Sequence, residues 1–224
     1  MDPKEIGPAL AQTMRVACNN SLYLTAKYLL GFKDINWKTH GEVLDVLESE
    51  GQRKLICMPR GCLKSSLACV AYPIWRLNRD SNLRILIDSE LYTNSKNFLR
   101  EIKAHLTSTL MTTIYGQYRS DLWNEAEITI NQRSKSAPQA SITAGGVETQ
   151  KTGQHFDLII ADDLNSTSNT NSPENAQKVV DHYRYNISIL DPRGTYVVIG
   201  TRYAANDVIG HILTNEEHDY KESA

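Results

Sequence analysis

Cysteine is scarce in this chain: its 224 residues include four, Cys18, Cys57, Cys62 and Cys69. No two of them form a CxxC pair and no histidine cluster lies beside them in sequence, so we expect no zinc site. Four dispersed cysteines also exclude a disulfide-rich miniprotein. The pattern favours reduced, buried thiols in a cytosolic protein.

Long hydrophobic runs are lacking as well. Runs such as Leu158–Ala161 and Tyr196–Ile199 have the length of a β-strand and fall far short of the roughly 20 apolar residues that a membrane helix needs. Residues 1–10 contain two acids and two prolines but no apolar signal region. The sequence therefore predicts no membrane partner.

Neither sign of charge is in large excess. Lys and Arg (24) nearly balance Asp and Glu (26), and the formal net charge is −2. This excludes a uniformly basic nucleic-acid coat but permits a basic path on one face. With 41% hydrophobic and 22% charged residues the composition is that of a globular protein, which excludes disorder and collagen-like repetition. The length suits one large domain, alone or with a small appendage.

The hydrophobic pattern changes near residue 51. Residues 1–50 follow a helical period, with Gly31 as a stop and a second helix from Thr39 or His40 to Gly51. Beyond them, continuous apolar strands alternate with amphipathic helices, which is typical of parallel strands covered on both faces. We predict a three-layer α/β domain over 51–215, a helical extension over 1–50, and a polar, unstructured linker start over 216–224.

The elements of this domain can be placed approximately. The predicted buried strands are 54–58, 83–87, 157–161 and 195–200. The predicted helices are 64–78, one through 98–106, 173–190 and a short one capped by Asn206. Two short strands, 127–130 and 140–143, flank a polar tip at 131–139, and 191–194 is predicted as a turn. Ligands of parallel sheets bind beyond the carboxyl ends of the strands, so the segments after each strand are the functional candidates.

The first such segment joins a strand directly to a helix, and it reads Pro59-Arg60-Gly61-Cys62-Leu63-Lys64-Ser65-Ser66. A phosphate site needs backbone N–H groups at a helix N-terminus and a lysine that reaches the outer phosphates, and Mg²⁺ needs a neighbouring hydroxyl. Lys64 and Ser65 meet the last two needs. Met58 and Leu63 stand where the pattern G-x-x-x-x-G-K-[ST] has glycine, so a chance loop–helix junction remains the alternative.

Two later strands end in polar residues. Asp162 could hold the water shell of Mg²⁺, and Asp163 could orient and deprotonate a water aimed at a γ-phosphate. A capping aspartate at a strand end is the alternative. Gly200-Thr201-Arg202 follows the last strand, where a threonine could sense the γ-phosphate and the arginine could pair with a phosphate or an acid. A plain strand–helix turn is the alternative there.

Three features now stand in order: P-R-G-x-x-K-S, then an apolar strand with D-D, then V-I-G-T-R followed by N-D-V-I-G. This arrangement resembles the N-terminal ATPase domain of the large terminase subunit, the DNA-packaging motor of tailed bacteriophages. The segments 152–163 (TGQHFDLIIADD) and 197–210 (VVIGTRYAANDVIG) carry the resemblance most specifically, and 172–194 resembles the family's intervening helix. Altogether the resemblance covers roughly residues 30–215.

The resemblance implies a RecA-like P-loop ATPase that uses ATP and Mg²⁺, with residues 59–66 as the phosphate loop. By position, Lys64 is the loop lysine, Ser65 the Mg²⁺ hydroxyl, Asp162 the Mg²⁺-associated acid and Asp163 the catalytic acid.

The resemblance assigns four further residues. Thr201 falls in the motif that couples hydrolysis to movement. Arg60 lies where the family often has an arginine near the γ-phosphate. Trp37 and His40 occupy the region that holds adenine.

Two departures from the family pattern concern catalysis. The family often has glutamate where this chain has the shorter Asp163. Ring motors complete the site with a cation from a neighbouring subunit, and the arginine that often precedes the equivalent of Gly153 is missing here. Lys151, Arg133 and Arg119 are the remaining candidates for that cation.

The implied function is translocation of double-stranded DNA into a viral procapsid in the host cytoplasm. The expected partners are the portal protein, the small terminase subunit and further copies in a homo-oligomeric ring, with a monomer in isolation. The basic tip 131–136 is a candidate DNA contact, or a solvated hairpin. The family normally continues into a nuclease domain, for which no room remains, so we expect an isolated motor domain without nuclease activity. The alternatives are another P-loop DNA motor such as a helicase, and a nucleotide-binding module with a degenerate loop.

Overall fold

One mixed sheet forms the frame of the protein. The computed structural model describes residues 3–149, 153–166, 169, 171–202, 207–216 and 221–223. The strands within these residues are β1 (Arg53–Cys57), β2 (Ile85–Ser89), β3 (Arg119–Trp123), β4 (Glu127–Ile130), β5 (Ile142–Ala144), β6 (Phe156–Asp162), β7 (Leu190–Gly200) and β8 (Lys221–Ser223). Their order is β3-β4-β5-β2-β6-β7-β1-β8. All neighbours pair in parallel except β3 with β4 and β4 with β5, which form antiparallel pairs.

Helices cover both faces of this sheet. They are α1 (Pro8–Asn20), α2 (Leu22–Leu24), α3 (Trp37–Glu48), α4 (Tyr72–Arg79), α5 (Tyr92–Leu106), α6 (Thr109–Tyr115), α7 (Pro173–Ser188) and α8 (Val208–Asn215). Wide π-type turns extend α2 through Thr25–Leu29 and precede α4 at Ser66–Ala71. In the part of the chain that the structure describes, no helix is long and apolar enough to cross a membrane.

Alternate residues of the central strands face two separate cores. Leu158 and Ile160 join the larger core with α1 to α6, while Ile159 and Ala161 join the smaller one with α7 and α8. This is the period of two expected of a strand buried on both sides. The predicted three-layer α/β architecture is therefore confirmed.

The helices begin directly after their N-capping residues, which the apolar pattern alone did not locate. The predicted start of the second helix at Thr39 or His40 is wrong: α3 begins at Trp37, because the side chain of Asn36 accepts a hydrogen bond from the Thr39 amide at 2.9 Å. It also ends at Glu48 rather than Gly51. The predicted cap Asn206 lies outside the described residues, and the cap of α8 is Asp207, whose Oδ1 accepts from the Gly210 amide at 2.8 Å.

The predicted turn at 191–194 is also wrong. The chain stays extended through β7 and the ladder skips residues: Phe156 pairs with Leu190, but Leu158 pairs with Thr195. Pro192 has no amide hydrogen to give to such a ladder. Nη2 of Arg84, the residue before β2, lies 3.4 Å from Oδ2 of Asp191, although β6 lies between β2 and β7.

Three elements were not predicted. The exposed strand β3 pairs with β4, the helix α6 packs against α1, and β8 pairs with β1. The expectation of unstructured residues at the end of the chain is therefore wrong for 221–223.

Candidate nucleotide-binding site

The segment after β1 forms a tight loop that leads straight into a helix. The carbonyl oxygen of Leu63 accepts the first helical hydrogen bond, from the Leu67 amide at 2.9 Å, so the helix begins at Lys64. Gly61 and Leu63 both have positive φ, +83° and +53°. Leu63 thus adopts the left-handed backbone that glycine takes freely, at a cost of about 1–2 kcal/mol. The missing glycine therefore does not abolish the loop geometry.

Lys64 points into the protein rather than into solvent. It is 5% exposed, and its Nζ lies 4.0 Å from Oδ2 of Asp163. Around it Pro59, Arg60 and Gly61 are exposed, while Cys62, Leu63, Ser65 and Ser66 are half-buried. The ammonium group is therefore held at the start of a helix, where anions also bind to the free backbone amides.

Ser65 and Asp162 meet across the ends of two strands. Ser65 Oγ donates a 2.8 Å hydrogen bond to Asp162 Oδ1. Burial is the main cause that raises the pKa of Asp162 to about 7, and the charge of Asp163 adds to it, while the Ser65 bond and Lys64 oppose the shift. A divalent cation would favour the ionised form of this buried carboxylate. Oxygen donors of these two types are the ligands that Mg²⁺ prefers, so the pair fits that ion.

Asp163 follows directly in a strained turn. Its φ is +43°, and its amide donates to the carbonyl oxygen of Ile199 at 2.9 Å. Its side chain is 37% exposed, yet Oδ1 is shielded from solvent and has no hydrogen-bond partner among the described residues. Oδ1 lies close to Gly200, where a Cβ would be in ordinary contact with it at 3.5 Å and in tighter contact with Cδ1 of Ile209 at 3.2 Å. Oδ2, which faces Lys64 at 4.0 Å, is the oxygen left to accept a proton from a water.

Thr201 links the end of β7 to the loop. Its Oγ1 donates to the carbonyl oxygen of Met58 at 3.4 Å, and Gly200 pairs with Cys57 in the sheet. The structure thus brings Lys64, Ser65, Asp162 and Asp163 together, and Thr201 is hydrogen-bonded to the residue that precedes the loop. Arg202 is exposed.

Trp37 and His40 have local structural contacts. His40 is buried, and its Nδ1 accepts from the Asn36 amide at 3.2 Å at the start of α3. Trp37 is 55% exposed and meets the ring of Tyr23 edge-on, with centroids 5.7 Å apart. Their assignment to adenine stays a prediction, as does that of Arg60 to the γ-phosphate.

A buried polar network beside the site was not predicted from the sequence. Asp88 is 1% exposed and follows the apolar residues of β2, and its Oδ2 accepts from His182 Nε2 at 2.6 Å and from Asn186 Nδ2 at 2.7 Å. Asn186 also donates to the hydroxyl of Tyr196 at 3.3 Å. The predicted strand stopped at Ile87, one residue before the aspartate. An aspartate directly after the apolar residues 85–87 was the sequence signal that could have revealed this network.

Two of the candidates for a trans-acting cation, Arg119 and Arg133, lie away from the loop. Arg119 is exposed on β3, and Lys151 is outside the described residues. Arg133 turns inward and donates from Nη1 to the carbonyl oxygen of Gln139 at 2.6 Å. The polar tip is held to the turn before β2, because the amides of Ser134 and Lys135 donate to Oδ1 of Asn82 at 3.1 and 2.8 Å.

No family model and no curated protein matches this chain. Solved structures do match. S. cerevisiae Dbp5 bound to RNA and ADP BeF3 aligns with 91% of this chain at a TM-score of 0.55 and 10% identity. A DEAD box protein from Methanococcus jannaschii aligns with 89% at 0.52 and 12%. A mutant of the Thermus phage P74-26 large terminase ATPase domain aligns with 84% at 0.50 and 13%.

The matches differ in how much of each neighbour they cover. This chain spans 50% of the Dbp5 chain, 52% of the Methanococcus protein and 72% of the terminase domain. At such identities the likeness shows the fold. The protein has the RecA-like P-loop ATPase fold predicted from its sequence, shared with a terminase ATPase domain and with DEAD-box proteins.

Proposed function

We propose that this chain is the ATP-hydrolysing motor domain of a phage DNA-packaging terminase, which drives double-stranded DNA into a procapsid in the host cytoplasm. The observation that carries the proposal is the convergence of Lys64, Ser65, Asp162 and Asp163 at one edge of the sheet. Each has the chemistry that ATP hydrolysis needs. The order of the sequence motifs favours a terminase among the proteins that share the fold.

Binding of ATP would use the loop 59–66. Lys64 would bind the outer phosphates, which would compete with Asp163, 4.0 Å away, for its ammonium group. Ser65 and Asp162 would hold Mg²⁺, which when bound neutralises charge that develops on the phosphoryl oxygens. Arg60, exposed on the loop, would add positive charge near the γ-phosphate.

Hydrolysis would depend on Asp163. Its Oδ2, which faces Lys64 at 4.0 Å, can orient a water for in-line attack and accept its proton. A cation from the neighbouring subunit of a ring would complete the site, so the rate per subunit should rise with protein concentration. The portal protein and the small terminase subunit are the proposed partners of the assembled motor.

Coupling to movement would pass through Thr201. Its hydrogen bond to Met58 joins the end of β7 to the phosphate loop. A Thr201→Ala variant should keep basal hydrolysis but lose its stimulation by duplex DNA, while Thr201→Ser should restore the stimulation. Equal stimulation of all three proteins would remove Thr201 from the coupling pathway.

A helicase-type motor is the second candidate, because the DEAD-box and Dbp5 structures match at TM-scores as high as that of the terminase domain. Two assays on the same preparation separate the candidates. Phosphate release should be stimulated by blunt duplex DNA, and a forked duplex should not be unwound. ATP-dependent strand separation without stimulation by the blunt duplex would favour the helicase. A nucleotide-binding module would bind ATP·Mg²⁺ in calorimetry without releasing phosphate.

A further inference from the structure

The edge of the sheet where the parallel strands begin carries three adjoining clefts. Their volumes are about 490, 470 and 420 Å³. The first and second clefts share Arg76, Asp80 and Leu83. The second and third clefts share Arg133, Lys135, Ser136 and Ala137. The clefts therefore form one continuous depression, which we call the basic groove. Its basic residues are Lys54, Arg76, Arg79, Arg84, Arg133, Lys135 and Arg193.

The basic groove lies opposite the nucleotide site. Lys54 is near the start of β1, and Arg84 directly precedes β2. The phosphate loop and Asp162 lie at the other ends of the same set of parallel strands. A strand of the length of β6 spans roughly 20 Å, so a ligand in the groove would not contact bound ATP.

Most acidic residues of the groove are engaged within the protein. Arg84 binds Asp157 at 2.6 Å and Asp191 at 3.4 Å. Asp80 accepts a hydrogen bond from the Asn82 amide at 2.9 Å, and Glu48 accepts one from the Leu22 amide at 2.6 Å. Glu50 also lines the first cleft.

Two cations of the groove are available to a ligand. Lys135 and Arg193 are exposed, and within the described ranges their side chains form no hydrogen bond or ion pair. Asp191 Oδ1 accepts a hydrogen bond from the backbone amide of Arg193 at 3.2 Å, but the two side-chain charges stay unpaired within the described residues.

Arg133 adds a buried donor without an acceptor. Its Nη1 is bonded to Gln139, but its Nε is shielded from solvent and has no partner in the described part of the chain. Burial, and then the nearby charge of Arg84, lower the pKa of Arg133. An unpaired buried donor is unfavourable, and an anion that reached it from the second cleft would supply the missing acceptor. The groove therefore has both the charge and the unused donor of an anion site.

We propose that the basic groove binds the phosphate backbone of double-stranded DNA, with Lys135 and Arg193 on exposed phosphates and Arg133 between the second and third clefts. A groove continuous over three clefts suits a linear polyanion better than a single phosphate. Its aromatic residues, Tyr72 and Trp75, are buried, so no stacking surface favours single strands. Contacts to phosphate alone suit a motor that accepts any sequence. The choice of DNA as the polyanion rests on the proposed function.

The test compares two double variants of the full chain that remove the same charges. Lys135→Ala with Arg193→Ala changes the groove, and Lys178→Ala with Arg184→Ala changes two exposed cations on α7. Fluorescence anisotropy measures binding to a labelled duplex across a range of salt concentrations. Calorimetry measures ATP·Mg²⁺ binding by the same proteins and by Lys64→Ala.

The groove variant should bind duplex more weakly, on the order of tenfold at low salt, and its slope of log affinity against log salt should fall by roughly 1.8, or 0.9 for each lost phosphate contact. The α7 variant should match the wild type, and both doubles should bind ATP normally. The proposal would be overturned if both double variants lost the same duplex affinity. It would also be overturned if the wild type bound no duplex at low salt, or bound polyglutamate more tightly than duplex. Duplex binding lost only in the groove variant, with unchanged ATP binding by Lys64→Ala, would instead refute the nucleotide site and leave the groove standing.

Discussion

Ser65 and Asp162 stand 97 residues apart in the sequence, yet the serine hydroxyl donates a 2.8 Å hydrogen bond to the aspartate. The contact exists because β7 lies between β1 and β6, and all three strands end at the same edge of the sheet. Two ligands of the proposed Mg²⁺ site are therefore already in place within the protein. Such preorganisation lowers the cost of binding the ion.

Binding of Mg²⁺ should depend on pH through Asp162. Its pKa is raised to about 7, so below that pH the carboxyl holds a proton that must leave before the ion can bind. We expect the apparent Mg²⁺ affinity to rise about tenfold per pH unit below pH 7 and to level off above pH 8. Titration of Mg²⁺ at fixed nucleotide over this range measures it. An Asp162→Asn variant should lose the pH-dependent part, and an unchanged profile in that variant would contradict the assignment.

Replacing Asp163 by asparagine should trap bound ATP. The variant keeps the size of the side chain but cannot accept a proton, so hydrolysis should fall by about 10²–10⁴ while ATP affinity is retained. Single-turnover phosphate release together with calorimetry distinguishes the two effects. Asp45→Asn, an exposed change on α3, serves as the control. Rapid turnover by the Asp163 variant would exclude the catalytic role.

The loop should be sensitive to its left-handed residues. Gly61 has a φ of +83° and nothing within 4 Å of the position of a Cβ, so an alanine there would suffer backbone strain without a steric clash. We expect Gly61→Ala to lower the free energy of unfolding by about 1 kcal/mol, which is about 2–4 °C in Tm. Gly61→Asn should cost less, because asparagine tolerates this conformation better. Equal melting temperatures for all three proteins would show that stability does not depend on a left-handed backbone at residue 61.

Asp88 should be important for stability. Removing it leaves His182 and Asn186 buried without their acceptor, and we expect Asp88→Ala to lower the free energy of unfolding by about 3 kcal/mol. Urea denaturation measures the loss. Asp121→Ala, at an exposed position of β3, should change stability by less than about 0.5 kcal/mol. A similar midpoint for the two variants would mean that the network is energetically unimportant.

The strand ends that carry the site could be predicted because the apolar pattern that determines them is local in the sequence. Apolar runs such as 158–161 that alternate with amphipathic helices are typical of strands buried on both faces, and such strands bring their carboxyl ends to one edge. The three-layer fold followed from the same pattern. The roles of Lys64, Ser65, Asp162 and Asp163 came from motif order and resemblance.

Features that depend on tertiary contacts could not be predicted. The strand β3 alternates weakly and is exposed at the sheet edge, so its period carries little signal. The ladder of β7 skips residues around Asp191, which contacts Arg84, a residue far away in sequence. The left-handed Leu63 contradicts its own backbone preference and is held by the packing of its side chain on the larger core.

The central claim is that ATP binds at the loop through Lys64. Calorimetry of ATP·Mg²⁺ with the wild type, Lys64→Ala and the exposed control Lys178→Ala tests it most directly, with circular dichroism to confirm that each protein is folded. We predict one binding site in the wild type and in Lys178→Ala, and loss of that binding in a folded Lys64→Ala. Equal ATP affinity in all three proteins would contradict the account.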